Sequence, residues 1–253
     1  MISNLYEHDK YRNINIPYLI SNEIIEYDIS SAGYNISKYY KLLDDSTLDR
    51  LGRMEKKHRH IQIGLLCRDS PEYNEKLKQA FVNIRKEFFI ANDIVDDDVL
   101  SIKKDAIFLL KGVNNTTFGN VEFVEKNIYT SYYYINKKEF YSSMSKLDVK
   151  GISDENLEPH REYLLDFMHS IFKMAETTDS KYVIKELSAF IDAYKSRQLD
   201  TEYYRELNDD GLFRLHNTYI GFPLGLEYIG DDNQINISYN FMNYIRPLIE
   251  IFM

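Results

Sequence analysis

Apolar and polar positions alternate at two different periods along this chain. In residues 71–93, PEYNEKLKQAFVNIRKEFFIAND, the side chains of Leu77, Ala80, Phe81, Ile84, Phe88 and Phe89 recur at helical spacing. Pro71 stands where a first helical turn tolerates it. EIIEYDIS, residues 23–30, reads as a strand ending in a turn at Ser30 to Gly33. NISKYYKLL has helical patterning, and DDSTLDRLGRM supplies Asp and Ser capping candidates for a second short helix.

Beyond residue 93, VLSI and AIFLLK are strand-like runs that meet at Lys103, Lys104 and Asp105. The turn-rich GVNNTTFGN leads into VEFVEK and IYTSYYYINKKEFYSS, both β-prone. From Ser153 the pattern changes to amphipathic helices, DENLEPHREYLLDFMHSIFKMAE and SKYVIKELSAFIDAYKSRQL. A boundary near Gly151 follows, with an α+β body over residues 1–152 and a mainly helical part over 153–253. The last fifty residues hold turn signals, a short strand INISY and a closing helix FMNYIRPLIEIFM.

Composition narrows the chemistry. A chain of 253 residues can bury a sizeable core, and its net charge of −9 makes any polyanion binding a local matter. The single cysteine, Cys67, excludes an internal disulfide and a thiolate metal cage. A polar N-terminus and the lack of a long apolar run predict no signal peptide and no membrane helix, hence a cytoplasmic chain. No phosphate-cradling glycine loop, nucleophile elbow or zinc signature is present. His160 and His169 lie nine residues apart on an expected helix, which is not a metal-binding spacing, and read as ordinary.

The charges inside VLSIKKDAIFLL are the notable exception to this plain pattern, because charge removed from water needs a solvated turn or a counter-ion. Asp105 in that turn and Asp28 at the end of the earlier strand are both placed to hold a divalent cation, which prefers hard oxygen ligands. The plainer reading of each is a strand-end carboxylate bonded to nearby backbone. A lysine ammonium beside the acids offers a third possibility, taking the place of a cation and offsetting their repulsion without metal.

The order of these features resembles the palm, fingers and thumb of family B DNA polymerases, including viral ones. Against the family's D-x-x-S-L-Y-P-S-I motif, DISSAGYNI keeps Asp28, Ser31 and Ile36. KKHRHIQIG echoes K-x-x-x-N-S-x-Y-G through Lys56, His60 and Gly64, and QAFVNIRKEFFIAND fills the place of the helix that returns to the palm. KKDAIFLL meets the D-T-D-S-I hairpin with its second acid, Asp105, while Lys103 replaces the first. NKKEFY and LDVKGI match the family's K-K-x-Y strand and the segment at the thumb entrance. The likeness covers roughly residues 23 to 175 and leaves no room for a proofreading region before Asp28.

The resemblance implies a polymerase-palm-like antiparallel sheet, a short helical fingers insertion over about residues 37–92 and a helical thumb-like C-terminal part. It places magnesium, if the chain is active, on Asp28 and Asp105 with Ile29 beside them. It puts nucleotide on Lys56, Arg59, His60 and Gly33, and nucleic acid on Lys137, Lys138 and Lys150. Gly33 falls where the family has a sugar-discriminating tyrosine, so a ribose 2′-hydroxyl would not be blocked there. For the lysines, solvated strand and helix faces are the competing reading. The tyrosines of IYTSYYYI read more simply as a half-buried sheet than as a base-stacking platform.

Two functions follow. One is a catalytically degenerate or accessory subunit of a viral nucleic-acid machinery, binding nucleic acid or a larger polymerase or transcription partner in the host cytoplasm, with no membrane role. The other is an active minimal nucleotidyltransferase, polymerase-like or primase-like, that uses Asp28 and Asp105.

Overall fold

The structure, a computed structural model, describes residues 2–207, 213–215, 218–220 and 240–253. In chain order the strands are β1 (Lys10–Arg12), β2 (Tyr18–Leu19), β3 (Ile24–Ile29), β4 (Val99–Lys103), β5 (Ala106–Leu109), β6 (Thr117–Phe118), β7 (Val121–Tyr129), β8 (Ser131–Ile135), β9 (Lys138–Ser142), β10 (Leu147–Lys150), β11 (Phe213–Leu215) and β12 (Thr218–Ile220). The helices are α1 (Ala32–Tyr39), α2 (Asp45–Gly52), α3 (Lys56–Asp69), α4 (Pro71–Ala91), α5 (Asp154–Leu157), α6 (Asp166–Thr177), α7 (Ser180–Lys195) and α8 (Arg246–Phe252). The class is α+β with antiparallel sheets. The expected strand INISY lies outside the described residues.

Contacts divide the chain into two compact units: Met1–Ile16 with Glu23–Ile128, and Pro17–Asn22 with Tyr129–Met253. The first is built on a six-stranded sheet in the order β1-β4-β5-β3-β7-β6. Its long helix α4 forms where the sequence predicts: Ser70 caps it by accepting from Tyr73 N at 3.3 Å, and Pro71 sits in the first turn. The predicted apolar face from Leu77 to Phe89 is buried, and Phe88 stacks on Phe123 of β7 with ring centroids 4.1 Å apart. Each such buried aromatic removes enough apolar surface to stabilise the unit by roughly 2–3 kcal/mol. Asp44 caps α2 by accepting from Thr47 N at 2.9 Å, as its sequence position suggests.

Helix α1 starts at Ala32, three residues earlier than NISKYYKLL indicates. The preceding Ser31 takes φ 46, so the chain turns sharply out of β3 and enters the helix at once. At the β4–β5 turn, Lys104 takes φ 60, which costs a non-glycine residue about 1 kcal/mol. Backbone contacts hold it there: Lys104 N donates to Asp9 O at 2.7 Å, and the buried Arg85 donates to Lys104 O at 2.8 Å.

The second unit carries a four-stranded sheet, β10-β9-β8-β2. The β8–β9 hairpin closes on Asn136 and Lys137, both with positive φ (47 and 62), the two-residue turn whose twist suits a hairpin. Tyr133 of β8 stacks on Phe172 of α6 at 3.9 Å, and Phe140, Leu147 and Val149 share their apolar cluster with residues of α6, α7 and α8. These strands therefore group with the helices, and the units divide at Ile128 and Tyr129 rather than near Gly151, where the sequence pattern changes. Tyr132 and Tyr133 are successive positions of β8 and both are buried, so this strand is covered on its two faces and not on one as the half-buried reading expected; Tyr129, at the end of β7, is buried too.

Candidate functional site

Two acids far apart in sequence come to neighbouring positions of the backbone in the first unit, near enough for the charge of one to act on the other. Strand β3 pairs antiparallel with β5, placing Asp28 opposite Ala106, and Ile29 N donates to Asp105 O at 3.2 Å. Asp105 thus lies beside the end of β3, in the turn that Arg85 steadies. Burial pushes its carboxyl above the ordinary range, and the negative charge of Asp28 adds to that rise. Lys104 and Lys126 draw it partly back.

The cation that touches Asp28 comes from an unexpected strand. Lys126 of β7 donates from Nζ to Asp28 Oδ2 at 2.8 Å and lies 3.8 Å from Oε1 of the buried Glu26. Its hydrogen bond to Asp28 raises the ammonium's pKa, and the charges of Asp28, Glu26 and Asp105 act in the same direction. Lys104 instead places its ammonium over the Phe81 ring, 5.7 Å from the centroid, while Lys103 stands opposite Lys10 in the β1–β4 register.

Magnesium coordination commonly uses one or two carboxylates and several waters, so Asp28 and Asp105 suffice in number. The Lys126 ammonium does not suit it: it holds an oxygen of Asp28 and brings positive charge where a metal's charge would lie. Among the described residues no group of three or more His, Cys, Asp or Glu is placed to hold a metal ion. Ile29 is buried, with its N–H committed to Asp105 O. The donor set as arranged fits magnesium poorly.

A second feature lies just past β3. A cleft of about 560 Å³ is lined by Ser31, Gly33 and Tyr34 of the α1 start and by Lys56, Lys57, Arg59, His60, Ile61 and Ile63 of α3, and most of its wall is apolar, with the basic side chains bordering it. The four residues that the resemblance links to nucleotide therefore share one concavity. Gly33 has a packing reason as well: a Cβ there would come within 3.0 Å of Ile63 Cγ2, so its absence lets α1 and α3 approach. Ser31 makes no side-chain cap at α1, and Glu55 makes none at α3. The first turn of α3 carries no acid, and Lys56, Lys57 and Arg59 bring positive charge to the positive end of a helix dipole, where Glu55 just ahead of the helix lies 3.7 Å from His58 Nδ1. Arg59 donates to Met54 O at 3.0 Å, and its guanidinium lies 4.7 Å from the Tyr34 ring centroid. Its Nε is buried and finds no hydrogen-bond partner.

Lys137, Lys138 and Lys150 belong to the second unit. Lys138 donates from Nζ to Gly151 O at 2.9 Å, which commits it to the local fold; Lys150 stands opposite Glu139 in the β9–β10 register. Lys137 occupies the hairpin turn. His160 is buried without a hydrogen-bond partner, while His169 Nε2 lies 2.7 Å from Ser143 O.

Two residues of the first site escaped sequence reasoning. Lys126 ends the run VEFVEK, but only the adjacency of β7 to β3 gives it a role. Arg85 sits on the apolar face of α4, and a charged residue at such a position is the one signal that could have drawn notice.

The family model for the Bacteriophage PBS1 gene 130 protein matches residues 1–253. The chain belongs to that family. The match supports a phage origin, specifies no activity and indicates no polymerase family. No curated protein matches. Among the described residues no helix is long and apolar enough to cross a membrane.

Proposed function

We propose that this phage protein is a palm-derived accessory subunit of a nucleic-acid machinery. On this reading it binds phosphate-bearing polynucleotide in the cleft of Gly33, Lys56, Arg59 and His60, and serves a larger polymerase or transcription partner rather than catalysing nucleotidyl transfer. The observation that carries the reading is the cleft itself, where basic side chains and two helix starts converge beside β3. Lys103 in place of an acid and the Lys126 contact to Asp28 favour the non-catalytic form. Lys137 and Lys150 are proposed as further phosphate contacts.

Fluorescence anisotropy with labelled single-stranded DNA and RNA tests this on the full chain. Lys56→Ala/Arg59→Ala is expected to weaken binding roughly tenfold or more and to shrink the salt slope by about 0.7 per lost contact. Unchanged affinity and slope in that variant reject the cleft as the binding site.

The adjacency of Asp28 and Asp105 favours the second reading, an active metal-dependent nucleotidyltransferase. Primer extension separates the two.

A further inference from the structure

The sheet places two carboxylates on one ammonium, with a third acid near enough for its charge to be felt. Glu26 and Asp28 are two residues apart on β3 and so project from the same face, and Lys126 of the neighbouring β7 reaches both, at 3.8 and 2.8 Å. Glu26 is 1% exposed, and its Oε2 also accepts from Asn127 Nδ2 at 2.5 Å. A carboxylate removed from water in this way needs positive charge close by. Asp105 adds another negative group beside the end of β3, through the contact of Ile29 N with Asp105 O. The Lys126 side chain is half exposed, and its ammonium meets Asp28 and the buried Glu26.

A divalent ion and an ammonium compete for such a position. Both satisfy carboxylate lone pairs, yet the ammonium is covalently tethered at effectively fixed concentration, whereas the metal must first displace it and shed water. Moving the ammonium aside would also expose buried Glu26 to loss of its counter-charge, which makes the exchange harder still.

We propose that Lys126 is a resident counter-cation that closes the Asp28/Asp105 pair to divalent metal, so that the chain takes Mg²⁺ or Mn²⁺ there only when Lys126 is removed. The device concerns the acid pair and not the cleft: it stands whether or not polynucleotide binds at Lys56 and Arg59.

Mn²⁺ titration of the full chain, followed by the electron paramagnetic resonance signal of the free ion, reads this directly. Wild type is expected to show no saturable uptake at millimolar Mn²⁺. Lys126→Met is expected to bind Mn²⁺ roughly tenfold or more tightly than wild type, the scale on which a ligand's hydrogen-bonded neighbour alters metal affinity. Adding Asp28→Asn or Asp105→Asn to Lys126→Met is expected to abolish the gain. If Lys126→Met leaves Glu26 uncompensated and the circular dichroism shows an unfolded chain, Glu26→Gln/Lys126→Met carries the same comparison. Saturable binding by wild type that is lost on Asp28→Asn overturns the proposal, and so does a folded Lys126 variant that gains no affinity.

Discussion

Arg85, from the middle of α4, donates from Nη1 to the carbonyl oxygen of Lys104 at 2.8 Å, fixing the turn that presents Asp105. Its other nitrogens reach Tyr6 O at 2.8 Å and Asp9 Oδ1 at 2.9 Å, so one fully buried guanidinium ties the N-terminal segment and the β4–β5 turn to the helix. Replacing it with Met keeps much of the apolar volume but takes a donor from the buried carbonyl of Tyr6 and the partly buried one of Lys104. Arg85→Met is expected to cost about 3 kcal/mol, seen as a lower urea midpoint with an unchanged slope. A loss under about 0.5 kcal/mol would place the turn's stability elsewhere.

Gly33 tests the packing that forms the cleft. Its missing Cβ leaves room for Ile63, which a methyl group would meet at 3.0 Å. Gly33→Ala is expected to cost about 1 kcal/mol and to weaken oligonucleotide binding by shifting α3. In a Gly33→Ala/Ile63→Ala double variant the two costs should be less than additive, because the clash is gone. Strict additivity would contradict the close α1–α3 contact as the reason for the glycine.

Asp105 gives a pH signature. Its carboxyl is raised in the folded chain by burial and by Asp28, so the folded state binds its proton more tightly than the unfolded state does. This contribution to stability is complete below the unfolded pKa of about 3.9 and is lost as pH rises through the folded value. At neutral pH the ionised group therefore works against folding. Asp105→Asn is expected to be as stable as wild type or more so at pH 7, with the advantage disappearing in acid. A variant less stable at pH 7 than at pH 4, relative to wild type, would reverse the sign.

His160 acts in the opposite sense. Burial, with the nearby charge of Arg205, lowers its pKa from 6.5 to about 4, and neither ring nitrogen has a hydrogen-bond partner. The unfolded chain takes up its proton first, so stability is complete above about 6.5 and falls as pH drops toward 4, by roughly 3 kcal/mol at most. His160→Leu leaves no donor or acceptor orphaned and should flatten that fall between pH 7 and 5 in urea denaturation. An identical pH profile in the variant would show that His160 does not titrate on unfolding.

Much of the fold is legible in the sequence where one local signal decides the element. The α4 face from Leu77 to Phe89, its start at Pro71, and the Asp cap of α2 depend on nearest neighbours along one helix. The β4–β5 hairpin is equally local, since Lys103 and Ala106 flank a two-residue turn. Sheet order is not local. The meeting of Asp28 with Asp105 requires β3 to pair with β5, which alternation does not specify and which only the order of motifs suggested. Lys126 was illegible for the same reason: nothing in VEFVEK tells that β7 lies beside β3. The division at Ile128 also escaped, because Tyr133 and Phe140 look like sheet residues in sequence whichever unit their ring faces join. The cleft lies between these cases, since Lys56 to His60 stand out as a basic run but their convergence on Gly33 rests on α1–α3 packing.

The proposed function requires that the first unit hold polynucleotide without lengthening it. Primer extension on a labelled primer–template, with all nucleotides and either Mg²⁺ or Mn²⁺, tests it most directly when wild type is run beside Asp28→Ala and Asp105→Ala. The account predicts a primer that is retained by the protein and unchanged in length in every lane. Extension by wild type that disappears in both variants would contradict it and establish the acid pair as a working catalytic site.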